Sequence, residues 1–296
     1  MTHLAAIAGI LIISFSAILV RLAEVSPDTA AFFRTLYALP VLLLLWFWFG
    51  RSSKSPARSK KLQAMALLAG IFLGLDLAIW HRAIEWIGAG LATVLGNTQV
   101  IFVGFAAWLL HGERPHRSML VGLPIAFVGM VLVSGLGRPD AYGENPLLGT
   151  FLGLLTGITY AFFLLLYRHS TRDESTPFRS FSVATIGAFV ASASVGGLSG
   201  HLDLAWSWPA HGWLIALALG SQVAGWLLIG YALPRLPAVE TSILLLLQPM
   251  ATVLWALLLF GEDLSVVQWL GVALVLAGVA LPSAGSALRG TSRAVR

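Results

Sequence analysis

The chain of 296 residues is 58% hydrophobic and only 10% charged, whereas soluble domains carry about 25% charged residues. This composition excludes a water-soluble globular protein. The net charge is +5, and the absence of cysteine excludes disulfides and thiolate metal sites. The basic residues lie between apolar runs, so we expect them to reflect membrane orientation, and no nucleic acid is expected as a partner.

Long apolar runs recur along the chain, each close to the ~20 residues that cross a hydrocarbon core as a helix. A backbone in lipid must satisfy its own hydrogen bonds, which favours helices. The sequence therefore predicts an all-α integral membrane protein with ten transmembrane helices. The predicted spans are 4–23, 29–49, 62–82, 87–110, 119–136, 147–168, 178–197, 211–232, 238–260 and 265–282.

The distribution of Lys and Arg predicts the orientation, because cytoplasmic loops of membrane proteins carry an excess of them. A cytoplasmic N-terminus places 14 of the 18 basic residues on the cytoplasmic side, with many in the loop 50–61. Because ten is even, both termini then lie in the cytoplasm. We expect a multi-pass protein in the lipid bilayer of a bacterial-type inner membrane.

A repeated stretch divides the chain into two halves. Residues 83–132 align without a gap on residues 232–281. The alignment pairs Gln99 with Gln248, Glu113 with Glu262, Gly122 with Gly271 and Gly129 with Gly278. The predicted domains are a first five-helix half at 1–145 and a second at 146–296. Because five is odd, the second half enters the membrane inverted, and inverted repeats recur in carriers.

Two patterns indicate a family resemblance. Each copy has a span ending in Gly-Glu followed by a span with spaced glycines, and FSAILVRLA precedes FFRTLYA near the N-terminus. In these features the chain resembles the drug/metabolite transporter superfamily, specifically the EamA-type ten-helix exporters. The resemblance implies that the substrate is an amino acid or a related compound.

The first two spans hold two polar candidates. Ser14 is a candidate substrate contact, although serine in a helix commonly bonds the preceding turn of its own helix. Arg34 lies about a turn into its span and is expected to snorkel to lipid headgroups. Direct binding of a substrate carboxylate by Arg34 is the less favoured alternative.

Span three contains Asp76, the only acidic residue deep within a predicted span. A carboxylate at that depth should face the bundle interior or a wet cavity. It is a candidate to bind a substrate ammonium or to carry a coupling proton, and the alternative is a structural partner for Arg34 or Arg82. Trp80 lies one turn further on the same face and is a candidate for the cavity wall.

Later spans add four further candidates for substrate binding. Asn97 shares a helical face with Thr93 in span four, and Tyr160 lies on an aromatic stripe of span six that could equally be packing. Gln222 and Trp226 lie on the face of span eight that is the inverted counterpart of the Asp76 and Trp80 face. Packing or an interfacial belt is the alternative for Trp226.

Two other patterns have structural interpretations. The loop sequence HGERPH resembles a set of metal ligands, but its Glu113 recurs as Glu262 without histidine, so helix-end or loop bonding is favoured. No metal and no cofactor are expected. Glycines spaced four apart at 70/74 and 149/153/157 predict close helix packing.

The favoured function is a secondary carrier that exports small amphipathic metabolites by alternating access and acts as a monomer. The chain is not expected to be an enzyme. It has no phosphate-binding G-x-x-x-x-G-K-[ST] motif, so ATP drive within the chain is not expected. The alternative is an integral-membrane enzyme, such as a lipid-modifying transferase, which would need nucleophiles or metal ligands clustered at one membrane face.

Overall fold

The computed structural model describes residues 2–50, 60–99, 101–103, 117–133, 142–171, 178–232 and 247–294. Within these ranges every regular element is helical, which confirms the all-α class. The α-helices are α1 (Thr2–Ser14), α2 (Ser16–Ala23), α3 (Pro27–Leu45), α4 (Lys60–Gly96), α5 (Arg117–Val133), α6 (Pro146–Thr171), α7 (Phe178–Ser199), α8 (Ala210–Ala216), α9 (Trp226–Ala232), α10 (Leu247–Phe260) and α11 (Val266–Ala294). Two π-helical segments, Trp46–Gly50 and Leu217–Gly225, follow α3 and α8.

Six helical stretches in the described ranges are long and apolar enough to cross a membrane. These stretches are Thr2–Ala23, Pro27–Phe49, Lys60–Gly96, Pro146–Ser170, Phe178–Ser199 and Ala210–Ala232. Three shorter apolar helices, Leu120–Val133, Leu247–Phe260 and Val266–Gly278, coincide with the predicted fifth, ninth and tenth spans. The protein is therefore a multi-pass membrane protein, and the count of ten inverted spans stays a prediction.

Helix α4 covers the predicted third span and the start of the fourth. Its helical geometry is broken at Gly88, where φ is 80° and ψ is 168°, a conformation that glycine adopts readily. The second part of α4 ends at Gly96, and a turn follows at residues 97 and 98. The predicted span 87–110 is therefore interrupted by a turn, and its residues 104–110 lie outside the described ranges.

The helical part of α4 that follows Gly88 is capped by Glu262. The backbone N–H of Ala89 donates to Glu262 Oε1 at 2.8 Å, and that of Gly90 donates to Oε2 at 3.2 Å. The first N–H groups of a helix lack helical partners and favour a nearby anion. Glu262 thus has the helix-end bonding expected for the repeated glutamate, while Glu113 lies outside the described residues.

The residues cluster by contacts into two compact units. Unit 1 comprises Met1–His81 and Phe162–Arg235, and unit 2 comprises Arg82–Ala161 and Leu236–Arg296. Each unit draws on both halves of the sequence, which interleave in space. The predicted domains 1–145 and 146–296 are defined by sequence repetition and stay a prediction.

Unit 1 is built on close helix contacts. Helix α7 runs antiparallel to α3, since Ser182 Oγ donates to the Leu42 carbonyl at 3.1 Å and Ser199 Oγ donates to Asp28 at the opposite end. Helix α7 also packs on α4, where a Cβ atom added to Gly70 would overlap the backbone of Ala184. Small residues permit such close approach in membrane helices, which confirms the predicted packing role of Gly70.

Unit 2 brings the repeated glycines together. A Cβ atom added to Gly129 would lie 2.8 Å from the carbonyl oxygen of Gly271, and one added to Gly278 would lie 2.6 Å from that of Gly122. Gly122, which is nearer the start of α5, contacts Gly278 further along α11, whereas Gly129 contacts Gly271. The two helices therefore run antiparallel. An inverted repeat requires α5 and α11 to be antiparallel, but the inverted repeat itself stays a prediction.

Candidate functional site

A π-helical segment, Leu217–Gly225, positions the side chain of Gln222 in unit 1. Its wider turn rotates the residues that follow relative to a regular α-helix, and such segments often accompany functional sites. The segment lies against α1, where a Cβ atom added to Gly225 would lie 2.5 Å from Ile13 Cγ1. The side chain of Gln222 is fully buried at this contact between helices.

Arg34 of α3 is the centre of the buried polar cluster in unit 1. Its side chain is only 3% exposed. Its Nε donates to Gln222 Oε1 at 3.0 Å, and its Nη1 donates to Ser16 Oγ at 2.8 Å. The expectation that Arg34 snorkels to lipid headgroups is therefore wrong, because the guanidinium obtains its hydrogen bonds inside the protein. A charge buried in a spanning helix is costly unless it is paired in this way.

Arg34 contacts candidate residues from two helical segments, Trp80 of α4 and Gln222 of the π-helical segment. The Cζ atom of Arg34 lies 5.9 Å from the centre of the Trp80 ring, within range of a cation–π interaction. Asp76 lies one helical turn before Trp80 and is 7% exposed. Trp80 and Gln222 therefore both lie beside Arg34, and a substrate role for Asp76, Trp80 and Gln222 stays a prediction.

Ser14 and Trp226 have local partners in unit 1. Ser14 Oγ donates to the Leu11 carbonyl of its own helix at 2.7 Å, the alternative raised for it from the sequence. The Trp226 ring packs edge-on against Phe163 at 5.5 Å and tilted against Phe181 at 5.9 Å. These contacts are typical of helix packing, and a substrate role for either residue stays a prediction.

Asn97 and Tyr160 belong to unit 2. The Asn97 amide donates to the Thr93 carbonyl at 2.9 Å, directly where α4 ends and the turn begins. Tyr160 is half-buried on α6. An interrupted spanning helix exposes backbone groups that can bind a ligand, which suits Asn97 as a candidate.

A second polar contact lies near the start of α8. The Tyr37 hydroxyl lies 2.6 Å from His211 Nδ1, and His211 Nε2 lies 3.1 Å from the Ala205 carbonyl. A carbonyl can only accept, so Nε2 carries the proton, and Nδ1 accepts from Tyr37. Trp206 stacks on the His211 ring at 4.3 Å. The contact fastens the segment before α8 to α3, and the sequence alone did not indicate it.

A metal site in the described residues would need a cluster of metal-ligating side chains. No group of three His, Cys, Asp or Glu residues lies close enough there to hold an ion. The HGERPH sequence, with His111, Glu113 and His116, falls outside the described residues.

Comparison with known proteins provides the family. A profile of the EamA-like transporter family matches residues 1–135 and 147–284. The chain belongs to this family. This match confirms the resemblance to EamA-type transporters that the sequence indicated.

An uncharacterized transporter of Archaeoglobus fulgidus is 28% identical to this EamA-like chain over 280 residues, 92% of each protein. A probable amino-acid metabolite efflux pump of Escherichia coli is 28% identical over 200 residues, covering 64% of this chain and 66% of the pump. A solved crystal structure superposes with a TM-score of 0.64 at 15% identity, covering 97% of this chain and 98% of the other. At that identity the likeness shows a shared fold alone.

Sequence reasoning favoured lipid headgroups for Arg34 and did not connect it with Ser16 or Gln222. The available signal was an arginine inside an apolar run, FFRTLYALP. Its position near the span end favoured snorkelling, and only tertiary contacts with α2 and the π-helical segment show that it points inward.

Proposed function

We propose that this EamA-like transporter is a secondary carrier that exports small amphipathic metabolites, amino acids or related compounds, by alternating access. The observation that carries the proposal is the buried cluster of Arg34, Gln222 and Trp80 within membrane-crossing helices. Ionisable groups in such helices are expensive and mark substrate pathways. A cation, an amide and an aromatic ring together suit a ligand with a polar head and an apolar side chain.

The direction and setting of transport are part of the same proposal. The E. coli relative is named an efflux pump for amino-acid metabolites, which supports export and this class of substrate. The Lys and Arg distribution supports an inner-membrane protein with both termini in the cytoplasm. The antiparallel glycine contact of α5 with α11 supports two inverted repeats of five helices. Asn97, Tyr160, Ser14 and Trp226 remain candidate substrate contacts.

The test of the carrier function is counterflow in liposomes that contain only the pure protein and lipid. Liposomes preloaded with one unlabelled amino acid should accumulate the labelled form transiently and saturably, and protein-free liposomes should not. Chemical conversion of a lipid or metabolite without translocation would instead establish the alternative, an integral-membrane enzyme. Metabolites outside cells that overproduce the protein should also differ from those of cells with an empty vector.

Replacing Asp76 with asparagine is expected to change the rate of counterflow and its dependence on pH. The substitution keeps the size of the side chain but removes the negative charge that we assign to a substrate ammonium or a coupling proton. The measurement is initial counterflow rate over a pH series, with Asp203→Asn in the segment between α7 and α8 as the matched control. Equal rates for Asp76→Asn and the unchanged protein at every pH would remove Asp76 from the mechanism.

A further inference from the structure

We propose that Arg34 and Gln222 form a subsite that binds a carboxylate group of the cargo. The apolar part of the same cargo molecule would face Trp80. The inference rests on the proposed carrier function and makes its substrate class more specific. Amines, esters and amides that lack a free carboxylate are then excluded as cargo.

The orientation of the Gln222 amide is determined by Arg34. Arginine has only donors, so the amide atom that faces Arg34 Nε at 3.0 Å must be the oxygen. Rotating the amide by half a turn would place two donors against each other. The Nε2 group of Gln222 therefore points away from this contact with two N–H bonds to donate.

The Nε2 donor of Gln222 is buried and has no hydrogen-bond partner among the residues that the structure describes. Buried polar groups are almost always paired, because an unmade hydrogen bond is costly. A second fully buried glutamine, Gln268 in unit 2, shows the ordinary arrangement. Its Oε1 accepts from the N–H of Tyr142 at 2.7 Å, and its Nε2 donates to the carbonyls of Val133 and Tyr142, each at 3.2 Å. Gln222 thus offers a donor for which the described part of the chain supplies no acceptor.

A carboxylate is the acceptor that best fits this position. It accepts only, its two oxygens take several hydrogen bonds, and its charge matches the adjacent guanidinium. One oxygen can face Arg34 while the other accepts from Gln222 Nε2. The described partners of Arg34 are Gln222, Ser16 and Trp80, and a single guanidinium suits a monoanionic carboxylate better than a doubly charged phosphate.

The test combines matched ligands with matched variants in the counterflow assay. The labelled probe is whichever standard amino acid gives the highest counterflow, and the competitors are the same amino acid, its methyl ester, its amide and the corresponding decarboxylated amine. We expect competition from the amino acid alone. The Gln222→Glu variant keeps an oxygen for Arg34 Nε but replaces the free donor with an acceptor, so the half-saturating amino-acid concentration should rise at least about tenfold.

A buried residue of the same unit provides the control. The Thr185 hydroxyl is also buried and has no partner among the described residues, but it lies on α7 and makes no contact with Arg34 or Gln222 that the structure shows, so Thr185→Val should leave transport unchanged. Gln222→Leu removes the amide without adding charge and leaves Arg34 Nε without its acceptor, so it should weaken amino-acid counterflow and lower the thermal unfolding midpoint below that of Thr185→Val; counterflow is compared at equal amounts of folded protein. This second variant separates loss of binding from loss of folding.

The outcomes distinguish the subsite from the carrier function. If the ester, amide or amine inhibits saturable counterflow as strongly as the amino acid does, the subsite is overturned and the carrier function remains. An unchanged half-saturating concentration in a folded Gln222→Glu protein would do the same. Absence of saturable counterflow for every amino acid and every amine tested would overturn both proposals.

Discussion

Replacing Arg34 with leucine is expected to raise the half-saturating concentration for amino-acid counterflow severely. The substitution removes the guanidinium that holds Gln222 and Ser16 and that we assign to the cargo carboxylate. Truncating one partner of a buried, hydrogen-bonded charge pair costs about 2–5 kcal/mol, and about 1.4 kcal/mol corresponds to tenfold in affinity, so transport affinity should fall at least about 30-fold. The measurement is the half-saturating concentration in proteoliposomes with matched protein content.

Two variants separate recognition by Arg34 from a general need for positive charge. Arg34→Lys keeps the charge but loses the planar fork, so it should fold and still transport poorly. Arg179 in the sequence PFRSF resembles Arg34 in FFRTL, and it is half-buried with its Cζ 5.8 Å from the Trp46 ring centre. Arg179→Leu should therefore retain most transport. Equal losses for the Arg34→Leu and Arg179→Leu variants would contradict a specific role for Arg34.

Composition, repetition and helical spacing predicted much of the architecture. Apolar runs of sufficient length can only be helices in lipid, and the described residues are helical throughout their regular elements. The repeated glycines also lie at a helix contact, although Gly122 contacts Gly278 and Gly129 contacts Gly271, which is the reverse of the pairing in the alignment. These features depend on local pattern, which a single sequence displays.

Contacts between distant parts of the chain could not be predicted in the same way. The position of Arg34 near a span end indicated the lipid headgroups, whereas its partner Gln222 lies 188 residues further along. A π-helical segment has no recognisable sequence period, so the orientation of Gln222 required coordinates. The turn after Gly96 was likewise hidden, because apolar residues continue on both sides of it.

The two copies of the repeat share scaffold and differ in chemistry. The repeated glycines of α5 and α11 support close helix contacts. Arg34 is enclosed by the side chains of Gln222 and Ser16, whereas the described contact of Arg179 is with the Trp46 ring. If the proposed inverted repeat holds, it supplies a symmetric frame for motion while one copy supplies the group that we assign to cargo recognition.

The helix contact at Gly70 is the place where a single methyl group should damage the fold most. A Cβ atom there would overlap the carbonyl and Cα of Ala184, which are backbone atoms and cannot rotate away. Gly187 on the facing helix has the reciprocal constraint, since its added Cβ would overlap the Leu67 carbonyl. Helices α4 and α7 must separate to accept a larger residue, and this separation would disturb the packing that supports Trp80 and Asp76.

We therefore expect Gly70→Ala to lower the free energy of unfolding by about 1–3 kcal/mol or more, the usual cost of overpacking. The measurement is the thermal unfolding midpoint in detergent, followed by the fluorescence of the 11 tryptophans. Gly197→Ala is the matched control, because an added Cβ meets nothing within 4 Å there. Alanine also favours a helix over glycine by about 1 kcal/mol, so the control should be neutral or slightly stabilised. A Gly70→Ala protein as stable as the Gly197→Ala protein would show that α4 and α7 do not pack as closely as described.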